Sequence, residues 1–182
     1  PYSGSKSCAE LVAHSYHHSF LRDSPTRTAT ARAGNVIGGG DWAADRIVPD
    51  CIRAWSAEET VSVRRPGSTR PWQHVLEPLG GYLRLAEELC GSGGGRFASA
   101  WNFGPNANNE LTVQELADAV AACWGPPASV KSELTTLAAA ETHSLRLDSA
   151  KADRYLGWRP RWGVHDAVER TVAWHKEWLT GG

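Results

Sequence analysis

The chain of 182 residues contains no methionine, no run of about 20 apolar residues and no block of like charges. Its 19 basic and 20 acidic residues are interspersed, so charge gives no reason to expect a nucleic-acid or membrane partner. Without a membrane-spanning run or a signal-peptide pattern, the expected location is the cytoplasm. Because the chain begins at Pro1 and lacks methionine, we interpret it as a fragment of a longer protein.

Cysteine and histidine form no pattern typical of a metal or disulfide site. The cysteines are widely spaced without a C-x-x-C pair, which argues against structural zinc, a redox motif and a disulfide scaffold. We expect them to be small buried apolar residues. His14 and His18 are helical neighbours, but no third ligand completes a set, so we expect a solvated helix face and no metal. The cysteines are Cys8, Cys51, Cys90 and Cys123.

The sequence also lacks the glycine motifs that bind nucleotide phosphates. G-S-G-G-G-R (91–96) has an arginine where the third glycine of a dinucleotide-binding loop is needed. G-N-V-I-G-G (34–39) has phosphate-loop spacing, but Gly40 and Asp41 follow in place of Lys-Ser/Thr. Both segments are predicted to be turns.

Hydrophobic periodicity predicts strands alternating with helices, which indicates an α/β architecture. Thr112 and Glu115 predict a capping box at the start of a helix that reaches about Trp124. The predicted helices are 2–20, 45–57, 77–89, 112–124, a short one between Asp148 and Gly157, and 164–179. The predicted strands are 26–38, 60–65, 97–103, 129–134 and 143–147, with a loop at 66–74. In helix 77–89 we expect Leu79, Tyr82, Leu83, Ala86 and Leu89 to face inward.

Tyr2 and Lys6 are one helical turn apart and therefore lie on one helix face. Tyrosine is a weak base at neutral pH, but a neighbouring cation favours the phenolate. A tyrosinate can take the proton of an alcohol while hydride leaves the same carbon for a nicotinamide. On its own the spacing is also compatible with an ordinary helix start and a surface lysine.

The surrounding motifs decide between these alternatives. Y-S-G-S-K-x-x-A-E is followed by a strand that ends in R-A-G-N-V-I-G-G-G-D-W. In this order the motifs resemble the second half of an extended short-chain dehydrogenase/reductase, and most closely the CDP-glucose 4,6-dehydratases. Y-x-x-x-K is shared with sister enzymes, whereas G-G-G-D-W-A-x-D-R-I-V-P-D and R-P-W-Q-H-V-L-E-P are more particular. The segments that carry the resemblance are 31–50, 70–83, 101–105, 145–151, 156–162 and 174–179.

The resemblance implies an α/β fold made of part of an NAD-binding Rossmann domain, which is a doubly wound parallel sheet, and a smaller mixed α/β substrate-binding domain. Residues 1–40 would form the C-terminal part of the Rossmann domain, with the catalytic helix and the following strand. Residues 41–182 would form mainly the sugar-nucleotide-binding domain, with 75–105 returning a helix and a strand to the Rossmann sheet.

The resemblance also implies an NAD-dependent conversion of CDP-glucose to CDP-4-keto-6-deoxyglucose and water, in deoxysugar biosynthesis. Tyr2 would remove the C4 hydroxyl proton as hydride passes from C4 to NAD. The resulting ketone acidifies the C5 proton, water leaves from C6, and the hydride returns to C6. Lys6 would hold the nicotinamide ribose and stabilise the tyrosinate.

Further positions match substrate-side and cofactor-side residues of that family. Gly34, Asn35 and Val36 would pass close to the nicotinamide end, and Asn35 would also reach the substrate near its diphosphate. Arg70 matches the arginine that binds the diphosphate, a role suited to a planar fork of donors. Without the resemblance, Asn35 could simply satisfy a turn and Arg70 could be a surface arginine.

Four more residues complete the implied substrate set. Arg46 and Asn102 match other substrate-side positions, while Glu141 and His143 lie in E-T-H-S-L-R-L-D, which resembles the late substrate-lining segment. Three tryptophans could stack on a base, but we expect them in the core. These are Trp42, Trp72 and Trp101.

The chain would then begin inside the cofactor domain, and about 150 residues with the glycine-rich turn and the remaining acid/base residues would lie upstream. We expect this chain alone to be inactive, with an open sheet edge and an uncovered apolar face that promote association. The full-length protein is expected to be a homodimer. The alternatives are another nucleotide-sugar epimerase or dehydratase, or a non-catalytic sugar-nucleotide-binding module.

Overall fold

The computed structural model describes residues 2–106, 109–133 and 145–181, in which helices and strands alternate as predicted. The helices are α1 Tyr2–Tyr16, α2 Ile47–Ser56, α3 Leu76–Cys90, α4 Val113–Trp124, α5 Ala150–Leu156 and α6 Val164–Leu179, with a π-helical segment at His17–Leu21 and a 3₁₀ turn at Gly94–Phe97. The strands are β1 Thr30–Ala33, β2 Asn35–Ile37, β3 Val61–Val63, β4 Thr69–His74, β5 Ala100–Phe103, β6 Glu110–Thr112 and β7 Val130–Ser132.

The strands form small sheets that are mostly parallel. β1 pairs in parallel with β5, and β3 pairs in parallel with β7. β4 lies between β2, which is parallel to it, and β6, which is antiparallel. Within the ranges that the structure covers, β1 has a partner strand along one edge only, which agrees with the predicted open edge. The predicted α/β fold class is confirmed.

Two groups of buried side chains form the cores. The larger packs α2, α4 and α6 against β2 and β4, and it includes Ile52, Leu116 and Val168. The smaller packs α3 and α5 on β5, and it includes Phe103 and Leu156. These five helices each bury an apolar stripe in this way, because removing that stripe from water stabilises an amphipathic helix.

Local chemistry explains where several elements begin and end. The Thr112 hydroxyl accepts from the Glu115 amide at 3.1 Å, and the Glu115 carboxylate accepts from the Thr112 amide at 2.7 Å, so the capping box is confirmed. The glycines after β2 form a turn as predicted, and packing requires them. A side chain at Gly38 would come within 2.7 Å of Val75 Cγ1, and one at Gly39 would overlap the Trp174 ring.

Some predicted elements are wrong. The predicted loop 66–74 contains β4, a buried strand in the middle of its sheet. The predicted strand 26–38 begins only at Thr30 and is divided at Gly34 into two strands that pair with different partners. The predicted strand 143–147 has no strand structure in its described part, 145–147.

Burial also differs from the predictions. In α3, Tyr82 and Leu89 pack on the smaller core, but Leu79, Leu83 and Ala86 are exposed. The buried face of this helix instead carries Pro78, Gly81 and Leu85, because a glycine at 81 lets the ring of Phe103 approach the helix backbone. Other exposed residues that we expected to be buried are Cys8, Cys90 and Trp42, whereas Cys51, Trp72 and Trp101 are buried as predicted and Cys123 is half-buried.

No helix in the ranges that the structure describes is long and apolar enough to cross a membrane. Within the same ranges, no cluster of three or more His, Cys, Asp or Glu side chains has the arrangement of a metal site.

Candidate active site

The carboxyl ends of β1 and β5 form one edge of a parallel sheet. The two strands are in register from Thr30 beside Ala100 to Ala33 beside Phe103. Gly34 and Gly104 therefore leave the strands side by side. In open α/β sheets, this edge is where ligands usually bind.

Helix α1 is fixed to β1 by side chains along its length. The Thr30 hydroxyl donates to the Glu10 carboxylate at 2.8 Å, and Arg32 forms an ion pair with the same carboxylate at 3.7 Å. About two turns further along, in the π-helical segment that follows α1, His17 Nδ1 is 2.9 Å from the Thr28 hydroxyl. The helix thus runs antiparallel to the strand.

This orientation places the first turns of α1 at the carboxyl edge of the sheet. Lys6 is exposed and precedes Glu10 by one turn, so it lies on the Gly34 side of the Glu10 contact. Tyr2 is the first residue of α1 and shares the Lys6 face by its i, i+4 spacing. The Tyr2 and Lys6 helix end and the Gly34 turn therefore lie at the same end of the molecule.

Gly34 marks the point where the chain leaves β1 and pairs with β4. A Cβ atom at Gly34 would lie 2.6 Å from the Pro71 carbonyl oxygen and 3.4 Å from Leu147 Cδ1. Since no real Cβ atom approaches a backbone oxygen so closely, only glycine fits here. The absence of a side chain lets β2 begin directly against β4, which sets the position of Asn35.

Asn35 and Arg70 lie on one face of the β2–β4 sheet. Asn35 is in register with Trp72, and paired residues of parallel strands point to the same side, as do residues two apart on one strand. Their Cα atoms are therefore roughly 8 Å apart, from the strand spacing and rise. Both residues are half-buried, and Arg70 Nη1 donates to the Thr69 carbonyl at 2.9 Å.

Val36 faces the opposite side of the same sheet. It is in register with Gln73, whose amide nitrogen donates to the Phe103 carbonyl at 2.8 Å. Gln73 is almost fully buried and thereby joins the β2–β4 sheet to β5. The two sheets that carry the candidate residues are held together at this point.

Residues 145–148 run across both sheets at the candidate site. The Leu145 amide donates to the Thr69 carbonyl at 3.4 Å, and Asn102 donates through its side-chain nitrogen to the Asp148 carbonyl at 3.2 Å. Leu147 packs where side chains are missing at Gly34 and Gly104. Asn102, predicted to bind substrate, thus holds this segment through its amide nitrogen. A cavity of about 350 Å³ opens next to it, between Gly104, Asp148 and Trp158.

Arg46 lies on a different part of the fold. It immediately precedes α2, is 61% exposed, and pairs with Asp41 at 3.1 Å across the loop that follows the glycine turn. The structure places Lys6 and Gly34 at the carboxyl end of β1, puts Asn35 and Arg70 on one face of the β2–β4 sheet, and joins Asn102 to the 145–148 segment, whereas Arg46 lies on a separate loop. The predicted site residues Glu141 and His143 lie outside the described residues.

The sequence analysis did not identify the role of Glu10, although it quoted the motif that contains it. The structure shows that Glu10 connects the Tyr2 and Lys6 helix to β1. The spacing contained the necessary information, because residues 2, 6 and 10 follow at steps of four and share one helix face. A lysine of α5 also contacts the neighbouring strand β5. Burial first and Arg32 second lower the pKa of Lys151, which donates to the Ala100 carbonyl at 2.8 Å.

Comparison with known proteins found relatives and solved structures among sugar-nucleotide enzymes. No protein-family model matches the chain. The chain is 45% identical over its whole length to the CDP-glucose 4,6-dehydratase of Salmonella typhimurium, of which it covers 51%. It is 30% identical to a dTDP-glucose 4,6-dehydratase of Actinoplanes, with 97% of this chain and 51% of the relative aligned. The chain spans about half the length of the curated relatives it matches.

Solved structures of sugar-nucleotide enzymes share the fold of this chain. A dTDP-glucose 4,6-dehydratase from Streptomyces venezuelae, crystallised with NAD, has a TM-score of 0.76 at 25% identity over 97% of this chain and 51% of that one. A UDP-glucuronic acid 4-epimerase from Bacillus cereus has a TM-score of 0.75 at 16% identity over 93% of this chain and 50% of that one, a likeness of fold alone. The resemblance to extended short-chain dehydrogenase/reductases inferred from the sequence is confirmed, and the fold matches about half of such an enzyme.

Proposed function

Because this chain is related over its whole length to the sugar-nucleotide 4,6-dehydratases of the extended short-chain dehydrogenase/reductase group, we propose that it is part of a CDP-glucose 4,6-dehydratase. The proposed reaction converts CDP-glucose to CDP-4-keto-6-deoxyglucose and water. Identity to the CDP-glucose enzyme is 45%, against 30% to a dTDP-glucose enzyme and 24% to a UDP-glucuronate 4-epimerase. The observation that carries the proposal is that the first turns of α1, which include Lys6, lie at the carboxyl end of β1, where the chain passes through Gly34 to Asn35 in β2.

The residues at this edge fit NAD as the cofactor. Lys6 is exposed at the end of α1 that lies beside Gly34, so its ammonium group is accessible to ribose hydroxyls. Gly34, Asn35 and Val36 would pass the nicotinamide end, where the glycine brings the backbone close to its surroundings. When bound, NAD supplies the reversible two-electron chemistry of the reaction.

In the proposed mechanism, the chain's own residues bind substrate and move one proton. Tyr2 in its phenolate form takes the proton of the C4 hydroxyl and becomes the neutral phenol, and Lys6, one turn away, favours the phenolate before the transfer. Arg70 binds the diphosphate through its fork of donors, and Asn35 contacts the substrate from the same sheet face. Arg46, Asn102, Glu141 and His143 are proposed to complete the substrate side.

We propose that the chain contributes to two domains of the enzyme. Residues 1–40 and 75–105 would belong to the cofactor domain, and most of 41–182 to the sugar-nucleotide domain. Helix α5 packs on α3 and β5. We therefore propose that residues 150–158 also cover the edge of the cofactor domain. We propose that turnover needs the half of the relatives that this chain does not align with, and that the chain alone is inactive.

We also propose a homodimer in the cytoplasm for the whole enzyme. The apolar stripe of α1 supports an interface there, because Leu11, Val12, Tyr16 and Phe20 are all more than half exposed in the single chain. Cross-linking of the whole enzyme through a cysteine introduced on this stripe tests the arrangement, and monomers at micromolar concentration would contradict it.

A second candidate function is binding of a sugar nucleotide without turnover. It is favoured by the fact that Asn35, Arg70 and the 145–148 segment all lie within this chain, which spans half the length of its relatives. Both candidates predict nucleotide binding by the isolated chain. They differ in whether activity returns when the other half of a relative is supplied as a separate polypeptide.

Isothermal titration calorimetry of the purified chain with CDP, dTDP, UDP and GDP tests the binding step. We expect CDP to bind at least about tenfold more tightly than the others, and Arg70→Lys to weaken CDP binding by about tenfold because the bidentate fork is lost. Arg84→Lys is the matched control, since Arg84 pairs with Glu87 and Glu88 on α3 away from the site. Equal affinity for all four nucleotides would overturn the assignment to CDP.

A further inference from the structure

A buried histidine lies beneath the glycine turn. His175, on α6, has no solvent-exposed surface, and neither of its ring nitrogens makes a hydrogen bond of normal geometry with the described residues. Its ring meets Trp42 and Trp174 edge to face, with centroids 4.8 and 5.1 Å away. A histidine buried without a well-formed hydrogen bond is favoured as the neutral ring, because the imidazolium would lose more hydration than its neighbours replace.

The turn that covers His175 is held by packing. Gly39 lies on the ring of Trp174, close enough that only glycine fits. Trp42 closes over His175 with its ring and is itself 42% exposed on the other side. Residues 38–42 therefore form a cover over His175, with water on the outer side of Trp42.

We propose that His175 is a positioning residue whose neutral ring holds the turn of residues 38–42 closed, and whose protonation releases Trp42 and the loop that leads to Arg46. In the closed state, the neutral ring fills the space under Trp42. In the protonated state, the ring must reach water, and the Trp42 ring, which contacts His175 and is partly exposed, would have to move aside. The inference concerns a part of the chain that the proposed catalytic step does not use.

The charges around His175 set the direction of the pH effect. Burial lowers the pKa of His175, while the Gly38 backbone and the Asp41 carboxylate oppose the shift. A group with a lowered pKa in the closed state stabilises that state above its ordinary pKa, and this stability is lost as pH falls through and below that value. Opening is therefore expected as pH falls below about 6.5.

Other charged groups face the same region. Asp41 pairs with Arg46 at 3.1 Å, and Arg53 on α2 donates to the Trp42 carbonyl at 2.8 Å while pairing with Asp50. On α6 itself, Lys176 points to the Cys123 carbonyl at 3.0 Å. These contacts tie the loop to α2, so release of Trp42 is expected to disturb the Asp41–Arg46 pair.

A second histidine lies near the same turn from the β4 side. His74 Nε2 is about as close to Gly38 as packing allows, 4.0 Å from the position of a Cβ atom there. Its pKa is lowered by burial and by Arg170, while Glu77 acts in the opposite direction. Any test must therefore distinguish the two rings.

The test uses nuclear magnetic resonance on the purified chain, with labelled histidine rings and 5-fluorotryptophan, from pH 8 to pH 5. We expect the His175 ring to titrate below the exposed His165 of the same helix, and the Trp42 fluorine signal to move with the same midpoint as His175. His175→Phe keeps the ring shape without a titrating group, so its Trp42 signal is expected to be independent of pH. His165→Asn is the matched control and should leave the Trp42 transition unchanged.

Several outcomes would overturn the proposal. These are a His175 midpoint at or above that of His165, a Trp42 transition that follows His74, or a transition that persists in His175→Phe. The wild-type titration decides the question even if the variant does not fold.

The link to Arg46 rests on the proposed function and is measured separately. The measured quantity is the ratio of the CDP affinity at pH 7.5 to the CDP affinity at pH 5.5. We expect this ratio to be at least threefold larger for the wild-type chain than for His175→Phe. Titration of the CDP phosphate affects both proteins equally and therefore does not change the comparison. If CDP does not bind at any pH, the proposed function fails, while the resonance data still decide the role of His175. Equal ratios with normal binding would remove the link to Arg46.

Discussion

The Glu10 carboxylate accepts a hydrogen bond of 2.8 Å from the Thr30 hydroxyl, and this contact orients the helix that begins with Tyr2. Few side chains of α1 are even half-buried, so this helix depends on a small number of polar contacts to β1. A helix held in this way opens locally at low cost. The position of the proposed catalytic pair is therefore controlled from a residue two turns away.

Glu10→Ala is expected to lower the free energy of opening of α1 by about 1 kcal/mol, because the Thr30 hydroxyl and Arg32 lose their common partner. Hydrogen exchange of the α1 amides measures this directly, and exchange should accelerate about fivefold in the helix and not in α6. Glu87→Ala, an exposed residue on α3 that pairs with Arg84, is the control. Unchanged exchange in α1 would mean that packing alone fixes the helix.

The two glycines Gly34 and Gly80 give opposite predictions for the same substitution. Gly34→Ala places a methyl group against the Pro71 backbone oxygen, so we expect a loss of about 2 kcal/mol in unfolding free energy and weaker nucleotide binding. Gly80 lies inside α3 with nothing within 4 Å of its Cβ position. Gly80→Ala should therefore stabilise the protein by about 0.5 kcal/mol. Urea unfolding distinguishes the two, and equal effects would show that β2 is not held against β4 as described.

The capping box at Thr112 and Glu115 was predictable because it depends on residues three apart, and local geometry decides it. β4 was not predictable, because R-P-W-Q-H carries a proline and polar residues that argue against a central strand. The strand is buried because β2 and β6 flank it, and this pairing involves residues distant in sequence. The co-location of Asn35 and Arg70 follows from the same pairing, and only the family resemblance indicated it beforehand.

Periodicity gave the correct helix for 77–89 but the wrong buried face. The analysis assumed that leucines face the core, whereas α3 packs through small residues at Pro78 and Gly81 so that Phe103 can approach. Which face of α3 is buried depends on the size of Phe103, a residue distant in sequence. The periodicity within α3 therefore does not reveal it.

Glu77 stabilises the W-R-P-R-W segment from the first turn of α3. Its buried carboxylate accepts from the Arg161 amide at 2.9 Å and from the Trp162 amide at 3.0 Å. Glu77→Ala leaves both amides without an acceptor, and we expect a loss of about 3 kcal/mol in urea unfolding. Glu77→Gln keeps one acceptor oxygen and should cost about half as much. If the alanine variant costs less than about 1 kcal/mol, the segment is held by its tryptophans instead.

The cysteines should differ sharply in reactivity. Burial, together with the negative charge of Asp50, raises the pKa of the Cys51 thiol to about 12, whereas Cys8 and Cys90 are exposed. Because the thiolate is the reactive form, iodoacetamide at pH 8 should modify Cys8 and Cys90 at least about 100-fold faster than Cys51. Cys123 should be intermediate, since burial also raises its pKa. Mass spectrometry of peptides follows each site, and early modification of Cys51 in the folded chain would contradict the described packing of α2.

Two apolar faces of the chain remain exposed next to the open edge of β1. Leu11 on α1 is 68% exposed, Phe20 in the π-helical segment that continues it is 70% exposed, and Leu83 on α3 is 73% exposed. Faces of this kind, together with an unpaired strand edge, promote association. We expect the chain to form dimers or larger species at micromolar concentration, which sedimentation velocity measures. Leu11→Glu with Leu83→Glu should shift it toward monomer, because a charge on each face makes its burial costly.

Leu179→Glu is the control for this measurement, since Leu179 is also about half exposed but lies at the end of α6, away from both faces. If the double variant, the Leu179→Glu variant and the wild type all sediment as monomers, the exposed faces of α1 and α3 do not drive association. If Leu179→Glu alone dissociates the assembly, the contact is made through α6, and its exposed Trp174 and Trp178 would be the residues to substitute next. Dissociation by the Leu11 and Leu83 substitutions alone would locate the contact beside the Tyr2 and Lys6 helix, where the proposed active site also lies.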